Sequence, residues 1–209
     1  MKAVIGLGLI AACLGWYTMN GVAAEAQLNA SPPSQLEQAF ADLSSEAEGV
    51  REQAVGLLIE RGDASLLPRL EELRANADRS LRMVIKPVID TWRNRTNLAS
   101  PDPDTRRTAA TDLGMNGRPA AIPWLLAAAA HESHRWVRYA MEESALLLQL
   151  ASGNPAIQQQ AAAKLGDMRS QNAVPALQAL LVQAGEGESA TGEQKVVAQT
   201  ATAAIERIE

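Results

Sequence analysis

The sequence predicts an all-α fold, a short α-solenoid, from two observations. Hydrophobic residues make up 47% of the 209 residues but aromatic residues only 3%, so Ala and Leu, both strong helix formers, carry much of the apolar content. Stretches rich in the β-branched and aromatic residues of strands are missing. In addition, the chain repeats one helical pattern along its length, and stacked helical repeats form solenoids.

Residues 1–26 have the pattern of a secretory signal peptide. Lys2 supplies a positive start, an uncharged apolar run follows from Ala3 to Tyr17, and small residues near position 24 offer cleavage sites. Two alternatives stay open. The segment could be retained as an N-terminal anchor, although the run is short for a span of about 20 residues, or the motif that ends at Cys13 could act as a lipobox.

Cys13 is the only cysteine of the chain, so a cleaved protein would carry no thiol. This is consistent with export to an oxidising compartment, where disulfides form. We therefore expect an extracytoplasmic, periplasmic location, with membrane contact only through the N-terminal segment if that segment is retained.

Residues 27–43 are predicted to form a linker and then a capping helix. Pro32 and Pro33 fall in the linker, where no helix interior needs their missing N–H groups. The helix is expected from Gln35 to Ser44, where it would cover the first repeat. The repeat domain then spans residues 44–209, in units of about 44–99, 100–151 and 152–209.

The repeat is visible in three windows, which begin at Val50, Thr105 and Ile157 and align without gaps. Apolar residues recur at helical spacing and predict a buried stripe. A proline then opens a second helix, because proline is tolerated in a first turn and prevents continuation of the preceding helix. The shared positions are Ala54, Ala109 and Ala161; Leu58, Leu113 and Leu165; Leu67, Ile122 and Val174; Pro68, Pro123 and Pro175; and Leu70, Leu125 and Leu177.

Capping residues and glycines predict the ends of the first helix in a unit. Asp102 and Asn154, each followed by a proline, are expected to cap that helix in the second and third units. Chain reversal after it is expected at Gly62, Gly117 and, one turn earlier, Gly166.

A third helix completes each unit and is expected to begin near Leu81, Trp136 and Val196. Pro87 should kink or end the first of these helices. Residues 185–193, rich in Gly and Glu, should form an exposed loop before the last of them. Each unit therefore holds three predicted helices.

The net charge of −5 argues against a nucleic-acid binder, because such proteins need a basic face to neutralise phosphates. Arginines do cluster around residue 100, but acidic residues lie among them, and we interpret this run as a solvated helix end. The residues are Arg93, Arg95, Arg106 and Arg107, with Asp102 and Asp104.

No pattern in the sequence indicates a catalytic, cofactor or metal site, and we expect a protein that is not an enzyme. His131 and His134 could share one helix face, but a zinc site needs three or four ligands and the chain holds no further histidine. We predict a loop between helices there. Adjacent Glu142 and Glu143 diverge by about 100° on a helix, and both are predicted to lie on exposed surface.

Tryptophans next to arginines mark the candidate partner-binding surface. A buried Trp fills a core, and this is favoured for each of Trp92, Trp124 and Trp136, whereas an exposed Trp beside Arg is typical of an interface hot spot. Trp136 is the strongest candidate because an arginine lies on each side of it. The candidate partner-binding residues are Trp136, Arg135, Arg138, Arg82 and Trp124.

The repeat pattern, Val-Arg followed by Ala and Leu at helical spacing and then by Ala-x-Pro-x-Leu, resembles HEAT-like repeats of the phycobilisome-lyase type. This resemblance implies a solenoid that binds other proteins. Its motif pairs are Val50-Arg51, Thr105-Arg106 and Val137-Arg138, whereas Ile157-Gln158 departs from the motif by losing the arginine.

A narrower resemblance involves residues 98–103, 109–110, 148–150 and 203–207 together with Arg106. They are similar to the extracytoplasmic amino-terminal extension of the urea ABC transporter permease of the branched-chain amino-acid type. This implies a permease or a solute-binding protein as partner. In that family a membrane-spanning permease follows the extension, whereas this sequence ends at Glu209, so we expect a detached or separately encoded extension. The alternative is an exported or membrane-anchored HEAT-repeat scaffold subunit of an unrelated envelope complex.

Overall fold

The computed structural model describes residues 34–61, 64–185 and 191–209, and within these ranges the chain forms ten α-helices and no β-strand. This confirms the predicted all-α solenoid. None of the helices in these ranges is both long and apolar enough to cross a membrane. The helices are α1 (Gln35–Asp42), α2 (Glu48–Arg61), α3 (Leu67–Asn76), α4 (Arg79–Asn97), α5 (Pro103–Asn116), α6 (Ile122–His131), α7 (Arg135–Leu150), α8 (Pro155–Asp167), α9 (Val174–Gly185) and α10 (Gly192–Ile208).

The chain divides between Gln38 and Ala39, and the repeats lie in the unit Ala39–Glu209. They form three consecutive groups of helices, which we call the first (α2–α4), second (α5–α7) and third (α8–α10) triplets. In each triplet the third helix packs against the other two, and α4 and α7 also pack against the first helix of the next triplet. This stacking lets each short helix bury an apolar stripe that it could not bury alone.

The aligned repeat positions form the core of all three triplets. The Ala and Leu residues of the first helices, and the Leu that follows the proline in the second helices, are each no more than 3% exposed. At the start of the stack, Phe40 and Leu43 are buried, and the guanidinium carbon of Arg69 lies 4.0 Å from the centroid of the Phe40 ring.

The predicted helix starts are confirmed. The Asp102 carboxylate accepts a hydrogen bond from the Thr105 N–H at 2.8 Å, and the Asn154 side chain accepts one from Ala156 N–H at 3.0 Å. The shared prolines occupy the second residue of α3, α6 and α9, and each of these helices follows a short 3₁₀ turn, Ala64–Leu66, Pro119–Ala121 or Gln171–Ala173.

Of the two outcomes expected at Pro87, a kink or a helix end, the helix end is wrong, because α4 runs through this residue from Arg79 to Asn97. Pro87 and Met83, whose carbonyl loses its helical donor, are both exposed, so water can satisfy that carbonyl. On the opposite side of the helix, Ile85 and Val88 are fully buried, and their packing holds the helix together.

The chain reversal expected at Gly166 is also wrong, because this residue lies inside α8 and is buried. A Cβ atom there would lie only 2.8 Å from the Cα of Ala204, so glycine is needed for the close approach of α8 and α10. The chain reverses after it, at Arg169, whose φ is +53°.

The loop expected over 185–193 is shorter than predicted at its end, since α10 already begins at Gly192, where Thr191 and Gln194 form a capping box. Gly62, the rest of that loop at 186–190 and the signal segment 1–26 lie outside the described residues.

Candidate functional site

The arginine of the repeat motif has a structural role in the first two triplets. The Arg51 guanidinium donates to the carbonyls of Ser45 at 2.7 Å and Glu46 at 3.0 Å. The Arg106 guanidinium donates in the same way to Ser100 at 2.8 Å and Pro101 at 3.0 Å. Each arginine therefore fastens the loop that leads into its own helix.

In the third triplet, Gln158 replaces this arginine and its side-chain amide donates to the Leu150 carbonyl at 2.9 Å. The departure from the motif therefore replaces the contact with the preceding loop by a contact with the last residue of α7. The amide carries no charge and makes one hydrogen bond where the guanidinium makes two, so its contribution to stability is smaller.

Arg138 carries the same motif in α7 but has a different environment. It is exposed, and across the described ranges its guanidinium makes no hydrogen bond or ion pair with another residue. Arg82, at the corresponding place in α4, is exposed as well, and its Nε donates to the Asp78 carbonyl at 3.3 Å. The Val-Arg motif thus leaves one arginine available to a partner.

Trp136 lies next to Arg138 in the first turn of α7, and its side chain is 65% exposed. The guanidinium carbon of Arg135 lies 5.7 Å from the centroid of the Trp136 ring, within the range of a cation–π contact. We call these three residues the Trp136 surface. They line a groove of about 410 Å³ together with Tyr139, Glu142 and Met168.

A second groove, of about 450 Å³, adjoins Trp136 and runs between α5 and α7. Trp136, but not Arg135, lines it. We call it the Glu143 groove. Its lining residues are Pro103, Asp104, Arg107, Thr111, His134, Trp136, Val137, Tyr139, Ala140, Glu143 and Asn172.

Glu143, predicted to be exposed, is only 8% exposed; that prediction is wrong. Its carboxylate accepts hydrogen bonds from the Ser170 hydroxyl at 2.5 Å, the Asn172 amide at 3.2 Å and the Tyr139 hydroxyl at 3.5 Å. The turn after α8 covers it, whereas the adjacent Glu142 stays exposed. The spacing of Tyr139 and Glu143, four residues apart on one helix, is the sequence signal that could have identified this contact.

Tyr139 is half-buried beside Glu143. Burial raises the pKa of its phenol, and the negative charge of Glu143 raises that pKa further, because both disfavour the phenolate. Tyr139 therefore stays protonated and can donate to the carboxylate.

The other tryptophans lie elsewhere. Trp92 is fully buried in α4, as expected, and Trp124 of α6 is half-buried, with the guanidinium carbon of Arg95 at 4.5 Å from its ring centroid. Neither Trp124 nor Arg82 lines the grooves that contain Trp136. Of the five predicted partner-binding residues, the structure brings together Trp136, Arg135 and Arg138.

The histidine cluster lies where a loop was predicted, since α6 ends at His131 and α7 begins at Arg135. Glu132 accepts two hydrogen bonds from the Arg106 guanidinium, at 2.7 Å and 3.0 Å, and one from the His134 N–H at 2.8 Å. Arg106 holds the pKa of Glu132 below its ordinary value, although burial opposes this shift. In the ranges that the structure describes, no three His, Cys, Asp or Glu side chains are placed to hold a metal ion.

For Arg106, one of the arginines near residue 100, the interpretation of a solvated helix end is wrong, whereas Arg93 and Arg107 are exposed. Its side chain is only 17% exposed because Glu132 and the loop carbonyls enclose it. Arg93 forms an exposed ion pair with Glu71 at 2.9 Å. The cluster in sequence is therefore divided among separate structural contacts.

Comparison with known families identifies repeats in two stretches of the chain. Residues 90–144 match HEAT repeats, and residues 157–183 match the PBS lyase HEAT-like repeat. A search of curated proteins gives no match. The predicted resemblance to HEAT-like repeats is confirmed, while the resemblance to a permease extension stays a prediction. HEAT repeats are generally non-catalytic scaffolds that mediate protein–protein interaction.

Proposed function

We propose that this protein is a non-catalytic, extracytoplasmic interaction module that acts with an ABC transporter of the urea and branched-chain amino-acid type. Three observations support the proposal. HEAT repeats are interaction scaffolds, residues 1–26 have the pattern of an export signal, and the sequence resembles the extracytoplasmic extension of such a permease.

The exposed Trp136 carries the argument for a partner. In this fold a Trp can be buried completely, as Trp92 shows, so exposure of Trp136 is not forced by its size. Trp and Arg dominate the binding energy of interfaces, and the Trp136 surface combines one Trp with two exposed arginines. A permease or solute-binding protein that covers the indole would remove this apolar area from water.

The shifted pKa values support a scaffold over an enzyme. Arg106 hydrogen-bonds Glu132 and lowers its pKa, and the Thr105 hydroxyl does the same for Asp102 at a helix cap. Catalytic acids and bases have shifted pKa values inside a reactive cleft. The shifts of Glu132 and Asp102 belong to contacts that hold a loop and a helix end, whereas Tyr139, whose pKa is raised, lines the Glu143 groove.

Cross-linking in membranes tests this function. A short-range photo-cross-linker replaces Glu142, which lines the same groove as the Trp136 surface. The full chain is irradiated in its native cells, and the adduct is identified by mass spectrometry. We expect a permease or solute-binding protein of the stated transporter type. Trp136→Ala should lower the yield at least about tenfold, as expected for a hot-spot residue.

Met115→Ala is the matched control, because Met115 is 73% exposed and lies away from both grooves. Its adduct yield should equal that of the wild type. An adduct with subunits of an unrelated envelope complex would establish the alternative function and contradict the transporter proposal. Equal loss in both variants would show that Trp136 has no specific role.

A further inference from the structure

Glu143 is a buried acid whose charge has no counter-ion. The residue is only 8% exposed. In the described part of the chain, no Lys, Arg or His forms an ion pair with its carboxylate. Its hydrogen-bond donors, Ser170, Asn172 and Tyr139, are all neutral. A buried carboxylate is costly without a cationic partner, so the site is electrostatically incomplete.

The carboxylate also keeps acceptor capacity. A carboxylate has about four lone-pair positions, and among the described residues Oε2 of Glu143 accepts only the Asn172 amide, at 3.2 Å. Glu143 also lines the Glu143 groove, so a donor that enters this groove lies beside a carboxylate that can accept a further hydrogen bond.

The wall of the groove favours a cation. Trp136 and Tyr139 both line it, and the negative π face of an aromatic ring attracts a guanidinium or ammonium group. The only other acid among the described residues of the lining, Asp104, is paired with the lining Arg107 at 3.4 Å. Of the two lining acids, Glu143 is therefore the one without a cationic partner.

We infer that the Glu143 groove receives a basic side chain, an arginine or a lysine, from the partner protein. The inserted cation forms a charge-assisted hydrogen bond with Glu143 Oε2, stacks against Trp136 and supplies the missing positive charge. This deepens the proposed function, on which it rests: the partner presents a basic residue and packs against the exposed Trp136.

Peptide binding to the full-length chain tests the inference. The probes are the blocked pentapeptides acetyl-Gly-Gly-X-Gly-Gly-amide with X as Arg, Lys or Glu, and the signal is the NMR shift of the Trp136 indole N–H, assigned with Trp136→Phe. We expect saturable binding of the Arg and Lys peptides and no binding of the Glu peptide. Glu143→Gln, which keeps the shape and removes the charge, should weaken binding roughly tenfold or more.

Glu142→Gln is the matched control: it removes the same charge from the adjacent exposed position and should change affinity less than about twofold. If Glu143→Gln loses its helical circular-dichroism signal and is therefore unfolded, peptide binding to Thr111→Arg tests the inference instead. Thr111 is an exposed residue in the lining, and an arginine there places a cation in the groove while Glu143 keeps its hydrogen bonds. It should abolish binding, and Thr108→Arg, exposed outside the groove on the same helix, should not.

Unchanged affinity in Glu143→Gln or Thr111→Arg would overturn the inference, and so would preferential binding of the Glu peptide. These outcomes are distinguishable from failure of the proposed function. If Trp136-dependent cross-linking persists while basic peptides fail to bind, only the groove inference is wrong. If cross-linking does not depend on Trp136, the proposed function fails as well.

Discussion

The first and second triplets share one repeat pattern but pack differently. In the second triplet, α5 and α7 approach so closely that a Cβ at Gly114 would lie 2.6 Å from the Cβ of Ser144. At the aligned position of the first triplet stands Ile59, which is buried, and α2 and α4 contact each other less extensively. The pattern of core leucines is therefore the same in both triplets, but it does not set the distance between the helices. That distance depends on the size of the residue at the aligned position, Gly114 or Ile59.

The third triplet behaves as the second does. Gly166 aligns with Gly114, and the space that a side chain would need is occupied by Ala204 of α10. Close approach of two helices increases backbone contact, so the second and third triplets depend on glycine where the first depends on a large apolar side chain.

The largest effect is expected for Gly114→Ala, which should lower the free energy of unfolding by about 2 kcal/mol. The new methyl group would meet the backbone of Ser144 at 2.8 Å, and backbone cannot move aside without shifting α7. Urea unfolding followed by circular dichroism measures the loss.

Gly56→Ala in the first triplet is the matched control. Its Cβ would meet only the flexible end of Arg118 at 3.4 Å, and Ala is the better helix former, so the variant should gain about 0.5 to 1 kcal/mol. A loss in Gly56→Ala as large as that in Gly114→Ala would show that both triplets pack equally closely, and the comparison would be wrong.

The motif arginines give a second contrast. Arg106→Met should destabilise the protein more than Arg51→Met does, because Arg106 binds both the loop carbonyls and Glu132, whereas Arg51 binds the loop carbonyls of Ser45 and Glu46. Loss of Arg106 leaves an enclosed carboxylate without its cation. The urea midpoints of the two variants measure the difference, and equal midpoints would contradict it.

A smaller effect on stability is expected when the pH is lowered. Because Arg106 and the His134 N–H lower the folded-state pKa of Glu132 from its ordinary 4.5, its contribution to stability is fully present above pH 4.5. That contribution is lost as the pH falls through the lowered folded-state pKa. Urea midpoints measured from pH 7 downwards should therefore fall below about pH 4.5, and fall less steeply in Glu132→Gln. Parallel curves would show that Glu132 does not contribute.

Most of the architecture follows from local chemistry. Asp102 and Asn154, each before a proline, identify helix starts because a short polar side chain can satisfy free N–H groups there. The aligned Leu58, Leu113 and Leu165 identify the core because a periodic apolar stripe is stable only when buried. The role of Trp136 in binding a partner stays a prediction, and its exposure is what the structure adds.

The errors arise where a residue's role depends on a distant part of the chain. Pro87 predicts a kink or a helix end, and the helix end is wrong because buried neighbours on the other side of α4 keep the helix continuous. Gly166 is a residue type that is frequent in turns, but here it lies inside α8. Glycine is needed because a side chain would collide with Ala204 of α10. Glu143 was predicted to be exposed, but the turn at Ser170 covers it. That turn lies 27 residues further along the chain, so the residues next to Glu143 in its helix do not indicate the contact.

The sequence by itself determined the helices, their caps and the three-fold repeat, because these depend on hydrogen bonds and apolar periodicity within about a turn or two of each residue. Only the tertiary structure decided which motif arginine is fastened to a loop and which stays exposed, where helices approach through glycine, and which carboxylate is enclosed without a cation. Those properties depend on neighbours brought together by stacking, and helical periodicity carries no information about which atoms the next triplet places against a given side chain.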